Sequence, residues 1–373
     1  MPFRKILRKI YYHLPIKFFI KNYILFESNP DYCDNAYYVF KELINEGYNK
    51  KYKLIWLVRD LEKFNDVNID NVYFVDYKNS KKYKRFAKFI IDSNRYINKT
   101  NKNQFRIYLS HGMPLKVVPD YSARIGNLNA ILITADIFAD YYVKYSNKSR
   151  ETMVVLGNPR NDQFFKEKIK FKELEGFKKV ILWMPTYREH LNGSGYKLKS
   201  IYGVPSINNK KEIIELNKLL KKYSSLLIIK IHPAQSMENI DKLKLSNIIF
   251  VKNELFDTYD KNVYSLAQNT DALITDYSSI YYDYMLMNKP IGMAIEDIEE
   301  YKKHFGLYFE NLENALPGEY IYNYNDLAKF IENVCNNKDV KKKERNDKIN
   351  TYNKYVDGNS SKRVVEFLKK HGL

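Results

Sequence analysis

A chain of 373 residues, 45% of them hydrophobic and 15% aromatic, is long enough for two or three domains and able to build their cores. That excludes a lone small binding module and a disordered chain. Lys and Arg number 62 against 44 Asp and Glu, a formal charge of +18 that favours anionic partners such as phosphorylated substrates, phospholipid or nucleic acid. Cys33 and Cys335 have no second Cys or His at ligand spacing, which disfavours a disulfide framework and a structural zinc site and fits a reducing compartment.

In chain order, the first segment is a basic leader, residues 1–22, whose character continues to residue 26. Arg4, Lys5, Arg8, Lys9, Lys17 and Lys21 meet no acidic residue there, while Phe3, Ile6, Leu7, Ile10 and Leu14 share one helical face. Two readings fit that amphipathicity. One is an in-plane helix on an anionic membrane surface, gaining about 1 kcal/mol per basic residue near the headgroups; the other is a helix packed by the same face on the domain. No apolar run reaches the roughly 18 residues of a membrane span, since even Ala130–Val143 is broken by Asp136 and Asp140. A secretory signal is also not expected.

Apolar, β-rich runs then alternate with helical patterns. YILFE (from Tyr23), KLIWLV (Lys53), VYFVD (Val72), FII (Phe89), FRIYL (Phe105), AILIT (Ala130) and VVL (Val154) form a first series, with helices near Asn35–Glu46 and from Ser80. After the charged stretch Lys166–Lys179 come VILWM (Val180), LLIIKI (Leu226), IIFV (Ile248), ALIT (Ala272) and PIGM (Pro290), with a helix over Lys210–Tyr223. The alternation predicts right-handed βαβ units in two doubly wound domains: residues 23–170, and residues 171–373 with terminal helices over Asp326–Leu373. Gly193–Gly203 reads as a surface loop.

Ligands of open α/β sheets bind beyond the carboxyl ends of the strands, and five clusters fall there. SHGMPLK follows FRIYL: His111 can take a proton from an attacking hydroxyl, Gly112 lets backbone approach a ligand, and Lys116 lies about a turn further on. GNPRND follows VVL, with Asn158 and Arg160; only 12 of the 62 basic residues are Arg, so one held at a strand end is informative. Arg160 either contacts substrate or pairs with Asp162. PTYR follows VILWM, and Thr186 with Arg188 suits phosphate or polyol oxygens. KIHP places His232 where it can donate to a phosphate. TDYSS follows ALIT, where Asp276, Ser278 and Ser279 precede a helix; the serines either cap it or join its amides in an anion site for a diphosphate. Asp283 is within a turn and either reaches ribose hydroxyls or is a solvated helix carboxylate.

There is no GxGxxG after a strand, no GxxxxGK[ST], HExxH, strict Asp-x-Asp or GxSxG. Dinucleotide oxidoreductases, P-loop kinases, zinc peptidases, metal-clamped nucleotide transferases and elbow hydrolases are therefore disfavoured. Asp297-Ile298-Glu299 and Asp60-Leu61-Glu62 come closest to a carboxylate metal clamp, and neither follows a clear strand.

Taken in order, SHGMPLK, GNPRND, PTYR, KIHP and TDYSSIYYDYMLMNKPI resemble the CDP-glycerol glycerophosphotransferase family, the teichoic acid primases and polymerases. NYILFES, YKLIWLVRD, YKKHFGLYFENLENALPGE and DGNSSKRVVEFL extend the likeness over about Tyr23–Leu368. The resemblance implies an α/β, GT-B architecture, two Rossmann-like domains facing across a cleft, the first for the acceptor and the second for the nucleotide donor. It also implies a CDP-linked polyol donor, no cofactor, no catalytic metal and a lipid-linked or glycan acceptor at the cytoplasmic face of a bacterial membrane, in teichoic acid or capsule-like synthesis. By that likeness His111 is the base, Gly112 and Lys116 lie on the acceptor side, and Asn158, Arg160, Thr186, Arg188, His232, Asp276, Ser278, Ser279 and Asp283 face the donor. The chain departs from the family in carrying Ser110 where Trp usually precedes the histidine, and it is close to a bare catalytic unit, which favours a primase, a single-addition enzyme or a capsule-pathway transferase. Two rival readings remain: a GT-B glycosyltransferase using a nucleotide-sugar, and a basic nucleic-acid-binding protein with stacking aromatics. Dispersed Lys and the lack of a nucleic-acid module argue against the second, so no nucleic-acid partner is expected.

Overall fold

In the computed structural model the described residues are 20–373, except 95–96, 119–124, 189–195, 197, 199, 201, 233–234, 236–239, 241–242 and 257. The helical reading of residues 1–19 and most of the Gly193–Gly203 loop lie outside them. Lys21 and the residues after it are strand, so the first strand begins inside the span read as basic leader.

The contiguous apolar runs form strands because the central strands are covered on both faces, the condition under which parallel strands carry unbroken Val, Ile and Leu. The first unit is a seven-stranded, all-parallel sheet in the order β3-β2-β1-β4-β5-β6-β7. These strands are β1 (Lys21–Glu27), β2 (Lys53–Val58), β3 (Val72–Asp76), β4 (Ala87–Asp92), β5 (Phe105–Tyr108), β6 (Ala130–Ile133) and β7 (Met153–Val155). Alternation of side chains sorts them into two layers. Ile24, Phe26, Leu54, Trp56, Phe89 and Ile91 enter the larger core with the helix Asp34–Asn45, while Leu25, Ile55, Leu57 and Ile90 enter the opposite one. Trp56 anchors the first layer, stacked on Phe26 at 5.1 Å and edge-on to Phe40 at 5.7 Å.

The second unit is a six-stranded parallel sheet, β10-β9-β8-β11-β12-β13. Its strands are β8 (Lys179–Trp183), β9 (Ser225–Lys230), β10 (Ile248–Val251), β11 (Ala272–Thr275), β12 (Ile291–Ala294) and β13 (Glu319–Ile321). Only β13 has no counterpart among the apolar runs, being three residues beside Pro317 and Gly318. The amphipathic helices Lys210–Lys222 and Tyr324–Cys335 bury Ile213, Leu216, Leu220, Leu327, Phe330 and Ile331 against this sheet.

The chain crosses between units more often than the sequence implied. One unit holds residues up to Met113, Pro119–Phe165 and Thr351–Leu373; the other holds Pro114–Val118 and Lys166–Asn350. The terminal helix Ser360–Lys369 therefore belongs with the first sheet and not with a domain spanning 171–373. Val364, Val365 and Leu368 close the Trp56 core, and the carboxylate of Asp162 accepts the amides of Ser360 and Ser361, both at 2.8 Å, at the helix start. Gly358 makes the preceding turn at φ +68°, where a Cβ would lie 2.6 Å from Cβ of Phe165. Among the described residues no helix is long and apolar enough to cross a membrane.

Candidate functional site

In the first unit, the chain leaves β5 through Leu109, Ser110, His111 and Gly112. Ser110 is buried at φ +61°, a conformation costly for a side chain with a Cβ. Its hydroxyl offsets the cost, donating to the Gly112 carbonyl at 2.9 Å and accepting the Gly112 amide at 3.1 Å. Asn35 clamps the same loop from the helix Asp34–Asn45, its side-chain amide donating to the carbonyls of Leu109 (3.1 Å) and Ser110 (3.0 Å). The position that departs from the family's Trp is thus a buried, hydrogen-bonded turn residue.

The imidazole of His111 emerges from this loop with 60% of its side chain exposed, while Nδ1 is turned inward onto Oδ2 of Asp34. The Asn94 side-chain amide lies 3.2 Å from the same ring nitrogen. Asp34 is 4% exposed, and its other oxygen accepts Nη1 of Arg160 at 2.8 Å. The Arg160 amide donates to Oδ1 of Asn35 at 3.1 Å. Burial raises the Asp34 pKa, but Arg160 and His111 outweigh it and hold the carboxyl well below the usual carboxylate range. Asp34 and Asn35 were not singled out in the sequence; their only signal was a polar pair opening a helix. Arg160 is buried on Asp34, and the oxygens of Asp162 accept the Ser360 and Ser361 amides. Asn158, also read as facing the donor, is buried in the same turn, its carbonyl accepting the Asn161 amide at 3.0 Å.

In the second unit, the turns after β8 and β11 are tied together. Asp276 accepts the Thr186 amide (3.0 and 2.9 Å), the Thr186 hydroxyl (2.5 Å), the Tyr277 amide (2.6 Å) and Nη1 of Arg188. Arg188 turns Nε and Nη2 onto Asp297 at 2.9 and 3.2 Å. Asp297 also accepts the hydroxyls of Tyr277 (2.9 Å) and Tyr196 (2.5 Å), and the Arg188 guanidinium lies 5.1 Å from the Tyr277 ring centre. Burial raises the Asp297 pKa, but the Arg188 bonds prevail and lower it. Burial likewise pushes the Tyr277 phenol far up, so it stays a donor.

These contacts give the surroundings of the donor set read from the sequence. Arg188, 1% exposed, spends its guanidinium on two carboxylates, and Asp276 spends its oxygens on Arg188, Thr186 and Tyr277, so both are interior braces. Asp297 is the carboxylate at the start of the Asp297-Ile298-Glu299 stretch, and it holds an arginine. Asp283 is buried on the helix Ile280–Met285, not solvated. The other residues remain at the surface of these turns. His232 is exposed after β9, its ring stacked on Tyr187 at 4.9 Å and 8°. Ser278 and Ser279 are half-buried, and the Ser279 hydroxyl does not cap the helix it precedes. Lys116 lies in the second unit, bridged antiparallel to Leu307, and not in the unit that carries His111.

A family model described as CDP-glycerol:poly(glycerophosphate) glycerophosphotransferase matches residues 8–370. The chain belongs to this family. It is a transferase of the kind that moves polyol phosphate. The teichoic acid poly(glycerol phosphate) polymerase of Bacillus spizizenii is 27% identical over 92% of this chain and 91% of its own length. The teichoic acid glycerol-phosphate primase of Bacillus subtilis is 25% identical over 95% of this chain and 77% of its own. Among solved structures, the wall teichoic acid polymerase TagF superposes with a TM-score of 0.73 at 21% identity, covering 98% of this chain and 92% of that one. The fold is therefore GT-B, as the five motifs implied. A UDP-GlcNAc 2-epimerase from Neisseria meningitidis shares it more distantly, at TM-score 0.56 and 15% identity over 93% of this chain and 99% of that one.

Proposed function

We propose that this glycerophosphotransferase transfers glycerol phosphate from CDP-glycerol to a hydroxyl of a membrane-associated acceptor, releasing CMP. The observation that carries the reading is the exposed imidazole of His111, anchored through Nδ1 at the carboxyl end of β5 in a chain of this family. His111 Nε2 takes the proton of the acceptor hydroxyl as its oxygen attacks the polyol-bearing phosphorus. The new O–P bond forms as the bond from that phosphorus to the bridging oxygen breaks, and CMP leaves with the electron pair. His232, as a charge-assisted donor, and the hydroxyls of Ser278 and Ser279 offset charge on the diphosphate. Catalysis then rests on positioning and electrostatics without a metal. A TagF variant has been soaked with CDPG, which supports a CDP-linked donor here. The acceptor reading, a lipid-linked or glycan hydroxyl at the cytoplasmic membrane face with residues 1–26 against anionic lipid, rests on the basic leader and on the relatives' polymer chemistry.

The test is CMP release from CDP-glycerol and CDP-ribitol, in EDTA, with a lipid-like phosphoglycerol acceptor, by the wild type and His111→Ala. Acceptor-dependent release that collapses in the variant is expected. Release from neither donor, with turnover of a UDP-sugar instead, overturns the reading in favour of glycosyl transfer.

A further inference from the structure

His111 is surrounded asymmetrically: every hydrogen-bonding neighbour the structure gives its ring lies on the Nδ1 side, while most of the side chain is open. The carboxylate on that side is placed at some cost. Asp34 opens its helix at φ +59°, a left-handed conformation that costs a non-glycine residue on the order of 1 kcal/mol, and its side chain is almost fully removed from water. In the left-handed turn one carboxylate oxygen meets His111, and the other accepts both Arg160 and the amide of Asn35 at 2.8 Å. Asn35, the next residue, holds the β5 loop through two carbonyls and the Arg160 turn through its amide. Two consecutive residues thus fix both the ring and the cation that balances its partner.

We infer that Asp34 is a positioning residue for the transfer: by accepting the Nδ1 proton of His111 it keeps the ring in the tautomer whose Nε2 lone pair faces the acceptor, while Arg160 shares the carboxylate. The inference rests on the reading of His111 as base. A carboxylate alone beside the ring would favour the imidazolium, which is no base; a carboxylate already paired to Arg160 orients the ring with less of that pull. The other groups near the pair are the Asn94 amide, Cys33 and Asp31, and Asp31 is itself paired to Arg59 at 2.9 Å.

The test uses the full chain, with nitrogen-15 in its histidines and the His111 signals assigned by their loss in His111→Gln. In the neutral wild-type ring, Nδ1 is expected to carry the proton and Nε2 to be bare; a ring protonated at Nε2 overturns the inference without any variant having to fold. In Asp34→Asn the tautomer preference is expected to be lost and kcat to fall about 10²–10⁴-fold. The donor KM should stay within about twofold. The acidic limb of the pH–rate profile should move with it. An unchanged spectrum and rate in Asp34→Asn, beside an inactive His111→Gln, overturns the positioning role alone. A His111→Gln enzyme that keeps its rate overturns the base reading instead, and is told apart because Asp34→Asn then alters the spectrum and not the rate.

Discussion

The two units each end their strands on a buried arginine–carboxylate cluster, and the clusters differ in what they leave open. In the first, one carboxylate, Asp34, is divided between Arg160 and an imidazole that stands largely in solvent. In the second, one guanidinium, Arg188, is divided between Asp276 and Asp297, and the remaining carboxylate valences go to Thr186, Tyr196 and Tyr277. Among the described residues, the first cluster therefore has an uncommitted functional atom at its surface, and the second does not. A buried ion pair contributes little net stability, because desolvation offsets its Coulomb attraction, but it becomes costly when one partner is lost. The comparison teaches that the same residue types at strand ends can present chemistry or brace a turn, according to whether a member of the set reaches solvent.

That contrast can be broken by exchanging effects on rate and on stability. His111→Ala is expected to lower kcat by at least about 10²–10⁴-fold. Because the side chain is mostly exposed, its urea midpoint should stay near that of the wild type. Arg188→Met should behave in the opposite way, destabilising the chain by about 3–5 kcal/mol because Asp276 and Asp297 are left buried without their cation. A stable Arg188→Met enzyme with weakened donor binding would return Arg188 to the donor site. Changing both Ser278 and Ser279 to Ala is expected to raise the donor KM by roughly fivefold per lost hydrogen bond, at about 1 kcal/mol each, with thermal stability unchanged.

Acid unfolding sharpens the comparison further. In the folded chain Asp34 and Asp297 both titrate below the ordinary carboxylate range, since burial opposes ionisation and the arginines outweigh it. An unfolded aspartate titrates near about 3.9, so between the folded and unfolded values the unfolded chain binds more protons and stability rises with pH. Stability from these groups should be complete above about pH 5 and lost progressively as pH falls below about 4. Asp34→Asn should flatten that decline relative to the wild type in urea titrations at successive pH; an unaltered slope would remove Asp34 from the set of depressed carboxylates.

The strands other than β13 were legible because each falls in an apolar run whose character follows from burial. His111 and His232 were legible because a rare residue type lay directly beyond such a run. β13 was not, since of Glu319, Tyr320 and Ile321 only Ile321 is a buried apolar residue. Nor was the return of the chain to the first sheet at Thr351, because the face formed by Val364, Val365 and Leu368 is equally suited to any apolar surface. Asp34 lies 77 residues from His111, and Asp297 lies 109 from Arg188, separations over which no local pattern announces a partner.

The amino-acid sequence by itself determined the parallel sheets, the strand ends where polar clusters gather and the family to which the chain belongs, because periodicity and short ordered motifs are local properties. Only the tertiary structure decided which arginines and aspartates are consumed by one another and which side of His111 faces water, because pairing and burial set the availability of a charge and both are made by residues distant in the chain.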